Sequence, residues 1–156
     1  MKRRCLFCLL GFGCFAMILA SAGGARASLG GPADSVASDI KVFSAQRGAT
    51  TAVNGYTIHE MIMGGTTVRE YVSASGIVFG IAWNGLMHPD LTQLLGSYAG
   101  QYEAALKGTA PRPGSRQFAV RTDGVTVEKW GRVRDFHGRA YAPALIPAGV
   151  SVDEIK

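Results

Sequence analysis

His59 and Glu70 are the residues of this sequence best placed for acid–base chemistry. They are expected at directly opposed positions of two neighbouring strands, where an imidazole and a carboxylate can hydrogen-bond. The carboxylate would orient the ring and raise its pKa, as a general base or a proton-sensitive contact requires. Gly80, expected opposite Glu70 on the next strand, would leave room for a ligand atom. The alternative is an ordinary polar pair on a solvated sheet face, because no nucleophile stands at a defined spacing from it.

His59, Met61 and Met63 form a second candidate cluster, because alternate residues of a strand project to the same face. Imidazole and thioether groups are ligands that Cu(I) favours. Methionines that alternate on a strand also fill gaps under a helix, and this packing role is the alternative. The second histidine of a zinc-protease helix is absent. The sequence therefore assigns no metal and no other cofactor to the protein.

Glu60 and Arg69 are expected to form a cross-strand ion pair on the opposite face of the same two strands. Together with His59 and Glu70 they are the candidate ligand-binding residues. No catalytic residue is assigned, although His59 and Glu70 are candidates for an acid–base role. The signatures of a phosphate loop, a serine-hydrolase elbow and a dinucleotide-binding fold are absent.

Two further groups of polar residues have both a functional and a structural interpretation. His88 and Asp90 precede a predicted helix, whose free N–H groups could bind an anion, although Asp90 as a helix cap explains the same residues. A basic cluster near aromatic residues could bind an anionic glycan, although a charged edge strand is the default interpretation. The cluster consists of Lys129, Arg132, Arg134 and Arg139 beside Trp130, Phe136 and Tyr141.

Two turn signals predict a three-stranded meander between residues 56 and 83. Gly64-Gly65 fits a two-residue turn, and residues 74–76 fit a three-residue loop that places Val72 opposite Val78. The face richer in large apolar groups is predicted to form the core: Tyr56, Ile58, Glu60, Ile62, Arg69, Tyr71, Phe79, Ile81 and Trp83. The other face carries His59, Met61, Met63, Val68, Glu70, Val72, Val78, Gly80 and Ala82. A slip of one residue would exchange the two faces.

Two segments have apolar residues at helical spacing. Residues 33–47 follow Pro32, which suits the first position of a helix. Residues 91–106 follow Asp90, a favourable N-cap, and Gly96 either weakens this helix or allows a close approach to the sheet. The apolar stripe of the second helix consists of Leu91, Leu94, Leu95, Tyr98, Tyr102 and Leu106.

A second hairpin and an irregular tail complete the prediction. Asp123-Gly124 joins strands 117–122 and 125–130. Residues 132–136 and 139–142 could add a strand, and the two prolines that follow make the tail irregular. The expected fold class is α+β, with an antiparallel sheet, formed by the meander and the second hairpin, packed by one or two helices.

Residues 1–27 have the three parts of a secretory signal peptide. The basic start Lys2-Arg3-Arg4 precedes an apolar run from Cys5 to Ala20, and small residues lead to Ala25-Arg26-Ala27. The apolar run is short for a membrane span and contains two glycines. We expect cleavage after Ala27, which leaves a single periplasmic or secreted domain over residues 28–156 without a membrane span.

The processed chain is expected to be nearly neutral and free of thiols. Four of the 16 basic residues lie in the signal segment, which leaves 12 basic residues against 11 acidic ones. The basic character of the whole chain therefore does not indicate nucleic acid or anionic lipid as a partner. All 3 cysteines lie in the apolar run, which excludes disulfides, a cysteine nucleophile and thiolate metal sites from the domain.

Five segments resemble a known family in order and spacing. They are Gly55-Tyr56-Thr57-Ile58-His59-Glu60, Val68-Arg69-Glu70-Tyr71-Val72, Gly76-Ile77-Val78-Phe79, Pro89-Asp90-Leu91 and Leu94-Leu95-Gly96-Ser97-Tyr98. From about Ser28 to about Tyr102 the chain resembles the bacterial exported family catalogued as domain of unknown function 2844. This resemblance implies export and supplies no catalytic residue. The methionines at 61 and 63 depart from the family's pattern, so no family function is placed on them.

These observations predict a small exported accessory of the bacterial cell envelope that acts in binding or assembly, without catalysis. Its partner would be an envelope protein, a peptide or a glycan, held at an exposed strand edge or on the face of His59 and Glu70. Nucleic acid is not expected in that compartment. The alternatives are a hydrolase or isomerase that uses His59 with Glu70 or Glu60, and a metal-handling protein.

Overall fold

The computed structural model describes residues 28–33, 40–41, 44–109 and 114–156. The predicted signal peptide and most of the predicted helix 33–47 lie outside the described residues. At the end of that helix the prediction is wrong, because Gln46 and Arg47 are the first residues of a strand.

Seven strands form one antiparallel sheet in the described part of the chain. They are β1 Gln46–Val53, β2 Tyr56–Met63, β3 Thr66–Ser73, β4 Val78–Gly85, β5 Gln117–Arg121, β6 Thr126–Arg132 and β7 Asp135–Tyr141. Their spatial order is β1-β2-β3-β4-β7-β6-β5. The predicted α+β class with an antiparallel sheet is confirmed. The meander and the second hairpin are parts of this larger sheet, which β7 joins by pairing with both β4 and β6.

A two-residue turn at Asn54-Gly55 accounts for the unpredicted first strand. It places Val53 opposite Tyr56, and Gly55 has φ 90°, the left-handed conformation that such turns require. The hairpin gives Gln46 and Arg47 strand partners in β2. These two residues therefore extend β1 instead of ending a helix.

The predicted register is confirmed between β2 and β3 and fails after the first residue of β4. His59 lies opposite Glu70, as expected, and Val72 lies opposite Val78. Phe79 is an extra residue in β4, because Tyr71 pairs with Gly80 immediately after the Val72 pair. The prediction that Gly80 lies opposite Glu70 is therefore wrong, and Ile81 takes that position.

This bulge exchanges the predicted faces of the β4 residues that follow Phe79. Ile81 and Trp83 join Met61, Val68 and Val72 on the face that packs against the helices. That side holds the larger core cluster, so the prediction that the core lies on the face of Tyr56 and Tyr71 is wrong for most of the core. We call the two sides the helix face and the tail face.

The helix face is covered by α1 (Leu91–Leu95) and α2 (Ala99–Gly108), which a short 3-10 segment at Gly96–Tyr98 separates. Asp90 caps α1 as predicted, because its carboxylate accepts a hydrogen bond from the Thr92 N–H at 2.9 Å. Gly96 interrupts the expected single helix at φ 52°, and a Cβ there would overlap the Ser28 side chain. Among the described residues, no helix is long and apolar enough to cross a membrane.

The tail face is covered over one half by the C-terminal segment. Tyr56, Tyr71 and Phe79 form an aromatic cluster with ring centroids 5.8 to 6.2 Å apart. Ile155 is fully buried against this cluster, and a Cβ on Gly80 would lie 2.8 Å from its Cδ1 atom. Gly80 therefore leaves room for the protein's own tail and not for a ligand.

We expect the tail to contribute substantially to stability. Ile155→Ala should lower the free energy of unfolding by about 2–5 kcal/mol, because it removes a fully buried side chain from a close-packed site. Leu106→Ala, at a side chain that is 38% exposed, is the control and should change it by less than about 0.5 kcal/mol. Urea unfolding measures both values, and equal small effects would show that the tail is not docked in solution.

Candidate functional site

The predicted pair of His59 and Glu70 does not form an open site. The two residues share one face, as expected, but it is the helix face, and Glu70 is 0% exposed and lies within the core. The His59 Nδ1 atom lies 3.2 Å from the Thr50 hydroxyl oxygen. A ligand approaching the imidazole would therefore not reach the carboxylate.

The electrostatic environment of His59 also differs from the one expected. Partial burial, followed by the positive charge of Arg47, lowers the pKa of the imidazole from its ordinary value. The expectation was a raised pKa caused by the neighbouring carboxylate. The ring is therefore held in its neutral form at neutral pH.

The methionines beside His59 serve as packing residues. Met61 is 0% exposed in the core of the helix face, and Met63 packs against the same core. Across the described residues there is no group of three or more His, Cys, Asp or Glu side chains arranged to hold a metal ion. The geometry therefore matches the packing interpretation of the His-x-Met-x-Met pattern.

Glu60 and Arg69 form the predicted cross-strand ion pair on the tail face. The Arg69 Nε atom donates to a Glu60 carboxylate oxygen at 2.8 Å, and one of its terminal nitrogens donates to the Asn84 side-chain oxygen at 2.7 Å. Both charged side chains are a little under one third exposed. This pair lies at the border between the tail and the uncovered half of the face.

The structure separates the four residues of the predicted basic cluster. Arg139 lies on the tail face and donates to Glu128 at 2.8 Å and to the Val152 carbonyl at 2.9 Å. Lys129 projects to the helix face, with its ammonium 5.5 Å from the centre of the Tyr102 ring. The remaining two arginines flank the turn between β6 and β7. The sequence cluster is therefore not one binding site.

The other half of the tail face, which the described C-terminal segment does not cover, combines aromatic and polar side chains. Trp130 on β6 and His137 on β7 are opposed in the register. Their rings are stacked, parallel to within 6° and with centroids 6.0 Å apart. Asn84 and Gln117 occupy the same row of the sheet on β4 and β5. We call Asn84, Gln117, Trp130 and His137 the open face.

A groove of about 730 Å³ runs along β5 next to the open face. We call it the β5 groove, and its tail-face lining includes Gln117, Ala119, Arg121, Glu128 and Trp130. The Glu128 carboxylate accepts hydrogen bonds from both Arg121 and Arg139, at 2.6 and 2.8 Å. This groove is the candidate functional site, because it brings charged, polar and aromatic groups to one accessible surface.

Gln117, Arg121 and Trp130 were not singled out together by the sequence analysis. A signal for them was present, because Gln117-Phe118-Ala119-Val120-Arg121 alternates between the two faces of a strand. That alternation predicts that Gln117 and Arg121 share a face. Their position at the edge of the sheet depends on where β7 lies. The pairing of β7 with β4, which is distant in the sequence, determines that place.

His88 and Asp90 serve the structure of the loop before α1. Asp90 is the helix cap described above, and the His88 Nδ1 atom accepts a hydrogen bond from the Trp83 indole N–H at 2.9 Å. The imidazole also lies against Phe136, with centroids 4.8 Å apart. The structural interpretation of both residues therefore fits the observed contacts.

The fold and the groove define a class of protein: an α+β domain whose single antiparallel sheet is packed by helices on one face and half covered by its own tail on the other. The profile of the family described as "Protein of unknown function (DUF2844)" matches residues 25–155, and the chain belongs to this family. No curated protein and no solved structure matches the chain.

Stability should decrease as the pH falls below about 6.5. Burial, followed by the charge of Lys129, lowers the pKa of His88, and burial also lowers that of His59. The unfolded chain then takes up these protons at a higher pH than the folded chain, so acid favours unfolding until the folded pKa is passed.

His88→Gln should reduce this loss, because the amide oxygen can still accept the Trp83 hydrogen bond but cannot take up the proton. Urea unfolding at pH 7 and pH 5.5 measures the difference, and His59→Gln should act in the same direction. The assignment of this acid sensitivity to His88 and His59 would be contradicted if the wild type and both variants lost the same stability between the two pH values.

Proposed function

We propose that the protein is an exported, non-catalytic binding protein of the cell envelope that holds an extended peptide segment of a partner protein along β5. The observation that carries this proposal is an accessible main-chain edge beside a groove with charged and aromatic walls. An extended peptide adds a strand to such an edge through main-chain hydrogen bonds, while alternate side chains enter the groove and provide specificity.

The hydrogen-bond pattern of β5 directs the main-chain groups of every second residue outward. β5 pairs with β6 alone among the described strands. The Thr122 N–H donates to the Val125 carbonyl at 2.9 Å, so every second residue before Thr122 also bonds to β6. The N–H and C=O groups of Ala119 and Arg121 therefore point away from the sheet, where a peptide strand would pair with them.

The same pattern limits the length of the available edge. Gln117 is also directed outward, but its N–H and C=O both bond to the Ser115 hydroxyl, at 3.2 and 2.6 Å. This local contact closes the edge at the start of β5. The edge thus offers a short pairing site centred on Ala119, which suits a peptide segment rather than a long strand.

The charges of the groove favour a peptide with an acidic side chain. Arg139 pairs with both Glu128 and Asp153, at 2.8 and 3.5 Å, and Arg121 pairs with Glu128. The described lining of the groove nevertheless contains four basic side chains, Arg121, Lys129, Arg139 and Lys156, and one acidic side chain, Glu128. The Arg121 side chain is 66% exposed and can rotate toward an incoming carboxylate. Trp130 supplies an apolar surface beside it. We expect an acidic residue two positions from an apolar one in the bound segment.

A glycan is the second candidate ligand, because one specific observation favours it. The Trp130 and His137 rings are stacked, parallel to within 6° with centroids 6.0 Å apart, and present aromatic surface beside the Gln117 position in the same row of the sheet. Sugars bind to such surfaces through their apolar faces and hydrogen-bond to amides and carboxylates around them. The two candidates use different atoms, the outward main chain of β5 or the ring surfaces, so variants can distinguish them.

Packing at the start of the domain limits where the proposed cleavage can occur. Leu29 is 1% exposed in the core, and its N–H donates to the Leu94 carbonyl at 2.9 Å. Ser28 occupies the space that Gly96 leaves open. Cleavage after Ala27 would preserve all of these contacts, whereas removal of even two further residues would open the core.

The catalytic and metal-handling alternatives receive less support from the geometry. An acid–base role for His59 with Glu70 would require access to a carboxylate that is fully buried. Glu60 lies on the opposite face of the sheet from His59 and is bonded to Arg69. A metal site at His59 and Met61 would require the buried thioether to leave the core.

The peptide proposal predicts a specific effect of one substitution on the edge of β5. Linear peptides selected on the wild-type protein from a displayed random library should share an acidic residue near an apolar one. Ala119→Pro should weaken their binding by at least about tenfold, because it removes the outward N–H and blocks strand pairing. Fluorescence titration with a labelled peptide measures the dissociation constant.

Ala119→Ser is the matched control, because it keeps the N–H and should bind within about twofold of the wild type. Thermal unfolding of both variants verifies that the fold is retained, as expected for proline at an edge position without a ladder hydrogen bond. Peptide binding that Ala119→Pro leaves unchanged would refute strand addition. Loss of binding only in Trp130→Ala, together with binding of neutral oligosaccharides, would favour the glycan.

Export predicts the N-terminus of the protein in the cell. Cells that express the full chain should contain a form that begins at Ser28 in the periplasmic or secreted fraction. Mass spectrometry of the N-terminal peptide identifies the cleavage point. A chain that retains residues 1–27 in the cytoplasmic fraction would exclude the proposed location, and a first residue beyond Leu29 would contradict the packing argument.

A further inference from the structure

One end of the sheet carries exposed apolar and basic side chains on two adjacent loops. We call Leu86, Met87, Arg132, Val133 and Arg134 the 86/133 tip. The three apolar members are 51%, 57% and 83% exposed, and they are half of the large hydrophobic side chains that are exposed in the described part of the chain. A soluble domain rarely concentrates such residues on neighbouring loops without a binding role.

The register of the sheet brings the two loops together. Gly85, the last residue of β4, pairs with Phe136 near the start of β7, so the loop that begins at Leu86 leaves the sheet at the end where β7 begins. Leu86 itself lies against Gly65 of the β2–β3 turn. Arg132 pairs with Asp135 across the turn that presents Val133 and Arg134. The two loops therefore lie at the same end of the sheet, where neighbouring strands are about 5 Å apart, so both can meet one flat surface.

Hydrogen bonds hold the first loop so that its side chains project outward. The hydroxyl of Thr66, which is 1% exposed, donates to the Met87 carbonyl at 3.0 Å and accepts from the Met87 N–H at 3.3 Å. The Leu86 N–H donates to the Gly65 carbonyl at 3.3 Å. Leu86 and Met87 are therefore exposed although hydrogen bonds fix the backbone of their loop.

The second loop keeps an arginine where the backbone favours glycine. Arg134 has φ 66°, a left-handed conformation that costs free energy for a residue with a Cβ atom. Arg132 and Arg134 are both exposed on either side of Val133. Asp135, the acidic neighbour, lies 2.9 Å from the His137 Nε2 atom. The tip therefore presents two guanidinium groups around apolar side chains.

We propose that the 86/133 tip docks on the surface of an anionic lipid bilayer. Leu86, Met87 and Val133 would enter the interfacial region of the bilayer, and the two arginines would bind lipid phosphates. This combination of shallow apolar insertion and basic charge is what reversible binding to anionic membranes requires. The inference goes beyond the peptide site, because the tip and the main-chain edge of β5 share no residue.

Vesicle sedimentation tests the proposal. The full chain is expressed, and the protein is purified in the form that the cell produces, so that all variants share one N-terminus. It should sediment with vesicles of phosphatidylcholine and phosphatidylglycerol, more weakly with phosphatidylcholine alone, and less at high salt. Each arginine removed from the 86/133 tip should lower the partition coefficient about fivefold.

Two double variants and two controls locate the binding surface. Leu86→Ser with Met87→Ser, and Arg132→Gln with Arg134→Gly, should each reduce binding to the anionic vesicles at least about tenfold. Leu106→Ser, at an exposed leucine of α2, and Arg121→Gln, at an exposed arginine of the β5 groove, should bind like the wild type. Arg134→Gly should also raise the melting temperature, because glycine relieves the left-handed conformation. Binding would then fall while stability rises.

Failure of this proposal and failure of the peptide proposal are distinguishable. The assignment of the tip would be overturned if the tip variants and the controls lost vesicle binding equally. It would also be overturned if the wild type did not bind to anionic vesicles. A protein crosslinked through position 86 without vesicle binding would also overturn it and identify the tip as a protein interface. Peptide binding by the β5 groove would be unaffected in each case.

Discussion

The extra residue at Phe79 in β4 is the constraint on which the arrangement of both cores depends. It turns Ile81 and Trp83 toward the helices and leaves Gly80 on the tail face, where the missing side chain makes space for Ile155. A regular strand would have placed the large side chains against the tail and the glycine under the helices. The close packing of both faces therefore requires the bulge, and β4 is the central strand that carries it.

Burial on both sides of β4 also determines where chemistry is accessible. Glu70 faces the helix side and is fully buried, although its position opposite His59 is the one that the turn at Gly64-Gly65 predicts. The short C-terminal segment covers only the half of the tail face that carries Tyr71 and Gly80. Polar and aromatic side chains remain accessible on the other half, and the edge of β5 borders it, which places the candidate site there.

The distribution of charge over the surface, and not the net charge, indicates which partners the protein could bind. The expected processed chain has almost equal numbers of basic and acidic residues, which by itself indicates no anionic partner. The sheet nevertheless places Arg132 and Arg134 beside exposed apolar loops, and Arg121 with Arg139 around one carboxylate. The charges close to such a surface determine what it binds, because salt screens electrostatic interactions between exposed charges more than about 10 Å apart.

The sequence by itself determined the hairpin registers and the helix cap, because Gly64-Gly65, Asp123-Gly124 and Asp90 act on residues a few positions away. Asn54-Gly55 carries the same kind of signal and predicts β1, provided that the expected helix ends before Gln46. The insertion of β7 between β4 and β6, the bulge and the docking of the tail were decided only by the tertiary structure. These features depend on contacts between residues far apart in the chain, whose packing free energy outweighs local preferences and leaves no pattern in any short segment.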